Sequence, residues 1–212
     1  MKAANELRFL LNHGYKKKSA LKFVSDHHML SPKERNLLAR AVFSKKEAEL
    51  LCKRRIKMNE LENLNLGIDG YNVLITTECI LMDRPLIKCD DSFIRDVEAS
   101  FGKYRINEYT MKAMNLILDV LSHYPPREVV FVFDSPVRKS GELSSKVKDF
   151  IEKKGLNGTA ITSKHCDRDL LSFECIATSD HVLIKKSKKV VDIPSKIIED
   201  LEKPFYDVRY PM

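Results

Sequence analysis

Apolar side chains in residues 1–58 recur at the three- and four-residue spacing that is typical of amphipathic helices. Leu7 and Leu11 mark the first apolar face, and further faces of the same kind follow along the segment. Capping boxes at Ser31–Glu34 and Ser44–Glu47 mark the starts of the third and fourth helices, because their side chains can bond to the free N–H groups of a helix start. The pattern predicts a small module made of helices.

Beyond residue 65 the pattern changes to short, continuous apolar runs that alternate with amphipathic segments. Continuous runs are typical of strands covered on both faces, and their alternation with helices predicts a parallel sheet with right-handed crossovers. The predicted strands are Leu66–Asp69, Val129–Phe133, Gly158–Thr162, Phe173–Thr178 and Lys188–Ile193. The predicted helices are Asn107–His123, Ser140–Lys154, Asp167–Ser172 and Ser195–Leu201. The fold class is therefore α/β, with an N-terminal all-α module.

Three stretches are left open by the pattern. The residues after Tyr71 favour a strand by propensity, yet a crossover helix could also begin there. Residues 79–107 form the least regular part of the chain, and the tail after Leu201 shows no clear structure.

Charge is shared unevenly between the two predicted domains, which meet at the polar connection 59–65. Residues 1–58 hold 15 Lys and Arg against 5 Asp and Glu, a net charge of +10, so residues 59–212 carry −3 in a chain of +7. A basic surface attracts polyanions, whereas an acidic one repels them unless a cation intervenes. We expect RNA or DNA to contact the module without base specificity, although a merely solvated surface is the alternative. The predicted contacts are Lys16, Lys17, Lys18, Arg54 and Arg55.

The five cysteines are widely spaced and contain no C-x-x-C pair, which argues against a disulfide framework and a zinc site. The chain has no run of 18 apolar residues, and its first residues lack the apolar core of a secretion signal. We therefore expect reduced thiols, no membrane partner and a cytoplasmic protein. The sequence leaves the oligomeric state open, a dimer included.

Aspartates recur where the apolar runs end. Asp69 and Asp134 close the first two strands, and further aspartates accompany the later runs. Because parallel strands end at the same edge of a sheet, we expect these carboxylates to form one acidic site. Taken singly, each aspartate also fits a turn or a helix cap. The predicted site consists of Asp69, Asp134, Asp167 and Asp180, with Asp96 and Asp169 as additional candidates.

Carboxylates grouped in this way suit phosphodiester hydrolysis. Two Mg²⁺ or Mn²⁺ ions held by carboxylate oxygens can stabilise the charge at phosphorus and produce hydroxide from water. Asn72, three residues after Asp69, could orient a metal-bound water or a phosphate oxygen through its amide. No glycine-rich phosphate loop is present, and the thiol in His165-Cys166-Asp167 has no evident histidine partner, so other chemistries fit less well.

Asp69-Gly70-Tyr71-Asn72-Val73-Leu74 resembles the opening motif of the NYN branch of the PIN-like nuclease superfamily, whose first strand ends in Asp-Gly-x-Asn. Thr178-Ser179-Asp180 is similar to its later Ser-Asp signature, and Asp167 matches the acid before that strand. The resemblance covers residues 66–193, and the whole chain resembles an uncharacterised archaeal family that joins a basic helical module to such a domain. It implies a PIN-like (Rossmannoid) fold, Mg²⁺ or Mn²⁺, a ribonuclease activity, and functional roles for Asp69, Asn72, Asp167 and Asp180.

Two functions remain open. The first is a divalent-metal-dependent nuclease that acts on RNA rather than DNA, although phosphate contacts alone cannot separate the two. The second is a catalytically degenerate PIN-like protein that binds nucleic acid or a protein partner, because Thr178 and Val182 depart from the family pattern. In the first, the expected metal ligands are Asp69, Asp167 and Asp180, with Asp134 as support and Asn72 to position water or phosphate.

Overall fold

The computed structural model describes residues 2–97 and 104–209, and its N-terminal part is helical as predicted. Both halves of the first capping box are present, since Ser31 Oγ accepts from the Glu34 N–H at 3.3 Å and the Glu34 carboxylate accepts from the Ser31 N–H at 2.8 Å. Ser44 likewise accepts from the Glu47 N–H at 3.2 Å. The helices of this module are α1 (Lys2–Asn12), α2 (Lys17–His27), α3 (Pro32–Ala41) and α4 (Lys45–Cys52).

Strands and helices alternate along the rest of the described chain, after a 3₁₀ turn at Met58–Glu60. The strands are β1 (Asn65–Asp69), β2 (Leu86–Lys88), β3 (Ile94–Asp96), β4 (Glu128–Asp134), β5 (Gly158–Ser163), β6 (Cys175–Ala177), β7 (Val190–Val191) and β8 (Tyr206–Asp207). The helices are α5 (Gly70–Leu81), α6 (Thr110–His123), α7 (Ser140–Lys153), α8 (Cys166–Leu170), α9 (His181–Lys186) and α10 (Ile193–Asp200). Within the described residues, no helix is long and apolar enough to cross a membrane.

Five of these strands form a parallel sheet in the order β5-β4-β1-β6-β7, which confirms the predicted α/β class. Helices cover both faces of this sheet. In β4, Val129, Phe131 and Phe133 pack with α5, α6, α7 and α10, whereas Val130 and Val132 pack with α4, α8 and α9. Successive side chains of a strand point to opposite faces, so a doubly covered strand needs a continuous apolar run.

The segment after Tyr71 is the crossover helix α5 and not a strand. The Asp69 side chain accepts from the Asn72 N–H at 3.4 Å and caps the helix. Most residues of α5 are buried, so tertiary packing overrides the local β propensity. Gly70 tolerates no side chain at this start, because a Cβ would lie 2.5 Å from the Phe133 ring.

A second, small sheet differs from the elements that the sequence predicts. It has the order β3-β2-β8, and it draws its strands from the irregular segment 79–107 and from the C-terminal tail. These strands contain two or three residues each, too few for a periodic pattern to be recognised. The six-residue helix α9 is also absent from the predicted elements.

The helical module and the small sheet share one apolar core. Leu7 of α1 is buried in the same cluster as Ile87 of β2 and Val208 beside β8. Arg8 reinforces this contact, since its Nε and Nη2 donate to the Asp90 carboxylate at 3.0 and 2.8 Å. The module is therefore packed against the α/β part of the chain, which brings α3 close to the edge of the main sheet.

Candidate acidic cleft

The four aspartates of the predicted site lie near the carboxyl ends of the parallel strands. Asp69 is the last residue of β1, and Asp134 is the last residue of β4. Asp167 lies in α8 just after β5, and Asp180 caps α9 just after β6. Because the strands run in one direction, these ends share one edge of the sheet.

A cleft of about 450 Å³ opens at this edge, and most of the residues that line it have polar or charged side chains. The cleft lies between the sheet and the helical module, because α3 contributes one of its walls. The predicted residues that line it are Asp69, Asn72, Asp96, Asp134, Asp167 and Asp180. Arg40, Arg95, Cys166, Ser179 and His181 complete its polar lining.

Asp69 is buried in the cleft, with only 7% of its surface accessible. Its Oδ2 accepts from the Thr178 hydroxyl at 2.8 Å, and its Oδ1 accepts from the Asn72 N–H. Burial, with a smaller contribution from the carboxylates of Asp134 and Asp180, raises the pKa of Asp69 to about 7 despite these two bonds. At neutral pH this carboxyl therefore needs a proton or a cation to offset its buried charge.

The side chain of Asn72 lines the cleft, and Ser179 occupies its amide oxygen. Its Oδ1 accepts from the Ser179 backbone N–H at 2.8 Å and from the Ser179 hydroxyl at 3.0 Å. Since a backbone N–H can only donate, the carbonyl oxygen of Asn72 must face Ser179. The Nδ2 group is thus oriented to donate to a phosphate oxygen or a water.

Ser179 is itself held by Arg95, which is almost fully buried. Arg95 Nε donates to the Ser179 carbonyl at 2.8 Å, and its two terminal nitrogens donate to the Asp91 carboxylate at 2.8 and 2.6 Å. The ion pair with Asp91 holds the guanidinium in place, and the bond to the Ser179 carbonyl connects β3 to the loop that carries Ser179. It fixes the backbone against which Asn72 is oriented.

Thr178, one of the two residues that depart from the pattern of the resembling family, connects two of the aspartates. Its hydroxyl donates to Asp69 and accepts from the Asp180 N–H at 3.1 Å. Asp180 Oδ1 accepts from the N–H groups of Val182 and Leu183 at 2.7 and 3.0 Å and so caps α9. Asp180 therefore has a structural role through one oxygen, while its Oδ2 takes no part in the cap.

Asp134 is half-buried beside the Cys166 thiol and the Asp167 carboxylate. Burial raises the pKa of Asp134, the thiol lowers it in part, and Asp167 raises it again. Burial and the neighbouring carboxylates also raise the pKa of Cys166, so the thiol stays protonated at neutral pH and is a poor nucleophile. Asp167 is exposed at the surface of the cleft.

The two additional candidate acids have different positions. Asp96 lies in the cleft, is buried, and accepts from Arg40 Nη2 at 3.2 Å. Asp169 is not among the residues that line the cleft. Its Oδ2 accepts from the Ser163 hydroxyl at 2.5 Å, which lowers its pKa and joins β5 to α8. The structure therefore brings Asp96, but not Asp169, into the candidate site.

The predicted nucleic-acid contacts are not equally accessible. Lys17 Nζ is buried 3.8 Å above the Phe43 ring and forms no hydrogen bond with the described residues, and burial lowers its pKa to about 8. Arg55 donates to the Ser92 carbonyl at 2.8 Å and to the Ser195 hydroxyl at 2.9 Å. Its guanidinium therefore connects the segment after α4 to the β2–β3 loop and to α10, and it is engaged within the fold. Arg54 is half-buried, and the exposed members of the set are Lys16 and Lys18. The accessible basic surface is thus smaller than the predicted one.

Comparison with known proteins gives a family for this chain. A family model described as "Domain of unknown function (DUF5616)" matches residues 58–196, more than half of the chain. The chain belongs to this family. A second model, described as "Protein of unknown function (DUF434)", matches residues 1–54. The "Uncharacterized protein MJ0935" of Methanocaldococcus jannaschii is 39% identical over 204 residues, which cover 95% of this chain and 98% of that protein.

No solved structure matches the chain. In this DUF5616 protein the two matched segments correspond to the helical module and the α/β part, and the cleft draws on both. The match to the archaeal relative spans nearly the whole of each chain, so both segments are present together there as well. None of the matched names states an activity, and the similarity to PIN-like nucleases stays a prediction.

The donor atoms of the cleft suit a hard divalent cation. Carboxylate oxygens are the protein ligands that Mg²⁺ and Mn²⁺ prefer, and Mg²⁺ is commonly held by one or two carboxylates with waters in its other positions. In the described residues, no three cleft carboxylates bring their oxygens within 4.8 Å of one another. A cation bound in the cleft would therefore need water among its ligands, because at most two of these carboxylates could reach it.

A separate group on the helical module does meet that 4.8 Å spacing, and it consists of Glu6, His27 and His28. His28 Nε2 lies 2.7 Å from the Glu6 carboxylate. The group is largely exposed, and it combines Glu6 of α1 with two histidines at the end of α2 that follow 21 and 22 positions later. The histidine spacing in the sequence gives no sign of it, because the glutamate comes from another helix.

Sequence reasoning misses three charged or titratable residues of the cleft: Arg40, Arg95 and His181. Arg40 has the appearance of any surface arginine on an amphipathic helix, and Arg95 falls in the segment without a recognisable pattern. His181 directly follows Asp180, so its position next to the motif was the one available signal. Burial lowers the pKa of His181, so its imidazole is neutral at neutral pH.

Proposed function

We propose that this DUF5616 protein is a divalent-metal-dependent nuclease that acts on RNA in preference to DNA. The observation that carries the proposal is the buried Asp69 carboxyl, with a pKa of about 7, in a cleft that holds four more aspartates. Burying and grouping carboxylates costs free energy, and a bound cation offsets this cost. The resemblance of the two aspartate motifs to those of PIN-like nucleases supports the same activity and gives the preference for RNA.

The side chains of the cleft suit distinct tasks in such a reaction. Asp69, Asp167 and Asp180 would supply the carboxylates for Mg²⁺ or Mn²⁺, with no more than two of them on one partly hydrated ion, and Asp134 would add negative charge beside them. The bound cation supplies charge stabilisation at the phosphoryl oxygens and an activated water. Asn72 would donate from Nδ2 to a phosphate oxygen or a water, since Ser179 fixes the orientation of its amide.

The direct test is cleavage of a fluorescently labelled single-stranded RNA in the presence of Mn²⁺ or Mg²⁺. We expect Asp69→Asn to lower the cleavage rate by at least about 100-fold, because the lost carboxylate provided charge stabilisation of several kcal/mol through the cation. A DNA strand of the same sequence, assayed in parallel, tests the preference for RNA.

Asp149→Asn is the matched control for this test. Asp149 is an exposed aspartate of α7 outside the cleft, so its substitution removes the same charge from the protein surface. Equal cleavage by wild type, Asp69→Asn and Asp149→Asn would show that the activity comes from another source and would refute the assignment.

The second candidate function is a PIN-like protein without catalytic activity that binds nucleic acid or a protein partner. It is favoured by one observation: the described cleft carboxylates do not converge to 4.8 Å in groups of three, and Asp180 uses one oxygen as a helix cap. Calorimetric titration with Mn²⁺ separates the two functions. Uptake of Mn²⁺ that is lost in Asp180→Ala supports the nuclease, whereas tight RNA binding without uptake of the metal supports the second function.

A further inference from the structure

The helical module contributes a cation to the acidic cleft. Arg40 lies in the last turn of α3 and lines the cleft together with the aspartates of the sheet. Its Nη1 donates to the Asp96 carbonyl at 3.0 Å and its Nη2 donates to the Asp96 carboxylate at 3.2 Å. Residues 56 positions apart thus meet at one wall of the cleft.

The two arginines of the cleft differ in how much of their hydrogen-bonding capacity is used. The side chain of Arg95 is only 3% accessible, and each of its three nitrogens donates a hydrogen bond to Asp91 or Ser179. Arg40 has 30% of its side chain accessible, and its two bonds leave three of the five N–H donors of a guanidinium unused by the described residues. Arg40 is therefore equipped to bind a ligand, whereas Arg95 is a structural residue.

The charge of the cleft explains why such a donor is needed. Its lining holds five aspartates and two arginines, a formal balance of −3 when every group is ionised. A phosphodiester would be repelled by this balance unless cations contact it directly. A guanidinium matches phosphate with its planar fork of N–H groups, and its charge does not depend on pH in the physiological range.

We propose that Arg40 binds a phosphate group of the nucleic acid, so that the helical module forms one wall of the substrate site. This inference rests on the proposed nuclease function and adds to it. It makes the helical module part of the site where the substrate reacts, and not only a separate basic surface that attracts nucleic acid. It also gives a physical reason for the two matched segments to occur in one chain, here and in the archaeal relative.

The test measures the binding of a short single-stranded RNA by fluorescence anisotropy, with Ca²⁺ in place of the catalytic cation. We expect Arg40→Gln to weaken binding by roughly 10- to 100-fold, as for the loss of a charge-assisted contact, and to reduce the slope of log affinity against log salt by about 1. Arg40→Lys should fall between Arg40→Gln and wild type, because lysine keeps the charge but loses the fork.

Arg35→Gln is the matched control, since Arg35 lies on the same helix, is exposed and does not line the cleft. It removes the same charge from α3, and we expect an affinity within about twofold of wild type, as for an isolated surface charge. Thermal unfolding of each variant is recorded alongside. If Arg40→Gln does not fold, the RNA affinity of Arg40→Lys decides the question. We expect this affinity to be at least about threefold lower than that of wild type, because lysine lacks the planar fork of guanidinium N–H groups.

The outcomes separate this inference from the nuclease proposal. If Arg40→Gln lowers only the melting temperature and binds RNA like wild type, Arg40 is merely the counter-ion of Asp96 and the inference is overturned. Equal losses in Arg40→Gln and Arg35→Gln overturn it too, because they indicate a general charge effect. If Mn²⁺-dependent cleavage by wild type persists in these cases, the nuclease proposal stands; if wild type neither binds nor cleaves RNA, both fail.

Discussion

At the scale of single residues, the most strongly perturbed carboxyl of the cleft is Asp69. Two hydrogen bonds stabilise its ionised form, but burial and the carboxylates of Asp134 and Asp180 outweigh them and raise its pKa to about 7. In the proposed nuclease, a proton and a divalent cation would therefore compete for the same carboxyl near neutral pH. The stability of the protein would then report whether this carboxyl is protonated, ionised or bound to a cation.

The pKa of Asp69 predicts how stability changes with pH in a metal-free buffer. The folded pKa of about 7 lies above the usual 3.8, so the folded protein binds a proton that the unfolded chain releases, and the stability provided by that proton is lost as the pH rises toward 7. The Asp69→Asn variant has no carboxyl at this position and does not lose stability in this way. As the pH rises from 5 to 8, we expect the free energy of unfolding of Asp69→Asn to increase by about 2–3 kcal/mol relative to that of wild type.

Urea unfolding at several pH values in the presence of a chelator measures this difference. Wild type and Asp69→Asn are compared directly, so that the contributions of other titrating groups cancel. A difference between the two proteins that stays constant from pH 5 to pH 8 would show that Asp69 does not titrate in this range. Addition of Mn²⁺ at pH 8 should stabilise wild type and leave Asp69→Asn unchanged, by mass action on the folded state.

At the scale of elements, α9 shows how a site residue also serves the fold. This six-residue helix is short for an isolated helix, and its start depends on the two bonds that Asp180 Oδ1 accepts from Val182 and Leu183. The same carboxylate stands at the edge of the cleft. Substitutions of Asp180 must therefore be chosen so that the cap and the charge are lost separately.

Asparagine and alanine at position 180 make this separation. Asparagine is as good an N-cap as aspartate but carries no charge, whereas alanine offers neither. We expect Asp180→Asn to be more stable to urea than Asp180→Ala by about 1 kcal/mol, and both to lose Mn²⁺ binding to the same degree. Mn²⁺ affinity that follows helix stability, weaker in Asp180→Ala than in Asp180→Asn, would instead assign Asp180 a purely structural role.

At the scale of the whole molecule, the charge is separated into a basic helical module and an acidic cleft. The module does not present all its cations to solvent, because Lys17 is buried over Phe43 and Arg55 is bonded to Ser92 and Ser195. Lys16 and Lys18 stay exposed on either side of Lys17. The electrostatic attraction of a polyanion should accordingly depend on the exposed lysines.

The salt dependence of RNA binding tests this distribution. We expect the double variant Lys16→Gln/Lys18→Gln to bind RNA more weakly. The slope of log affinity against log salt should become shallower by about 1 to 2, because the loss of two phosphate contacts reduces the number of counterions that are released on binding. Lys17→Met is the control and should leave the slope unchanged, since its ammonium contacts the Phe43 ring. The same flattening in Lys17→Met, or none in the double variant, would contradict the assignment.

The sequence by itself determined the helices of the module, the five strands of the main sheet and the edge at which the aspartates meet. Apolar periodicity reflects burial, so it predicted α1 to α4 and the five parallel strands. Parallel strands share one direction, so aspartates at the ends of β1 and β4 had to lie at one edge. Both conclusions follow from chain order and local pattern, and they need no knowledge of which distant residues pack together.

Only the tertiary structure decided the contacts between distant parts of the chain. Burial made α5 a helix although its propensity favours a strand, and pairing with β2 made a strand of the featureless C-terminal tail. Packing of the module on the sheet buried Lys17 and placed Arg40 beside Asp96 in the cleft, while Ser163 kept Asp169 outside it. Such outcomes depend on the free energy of packing residues far apart in sequence, which no local pattern encodes.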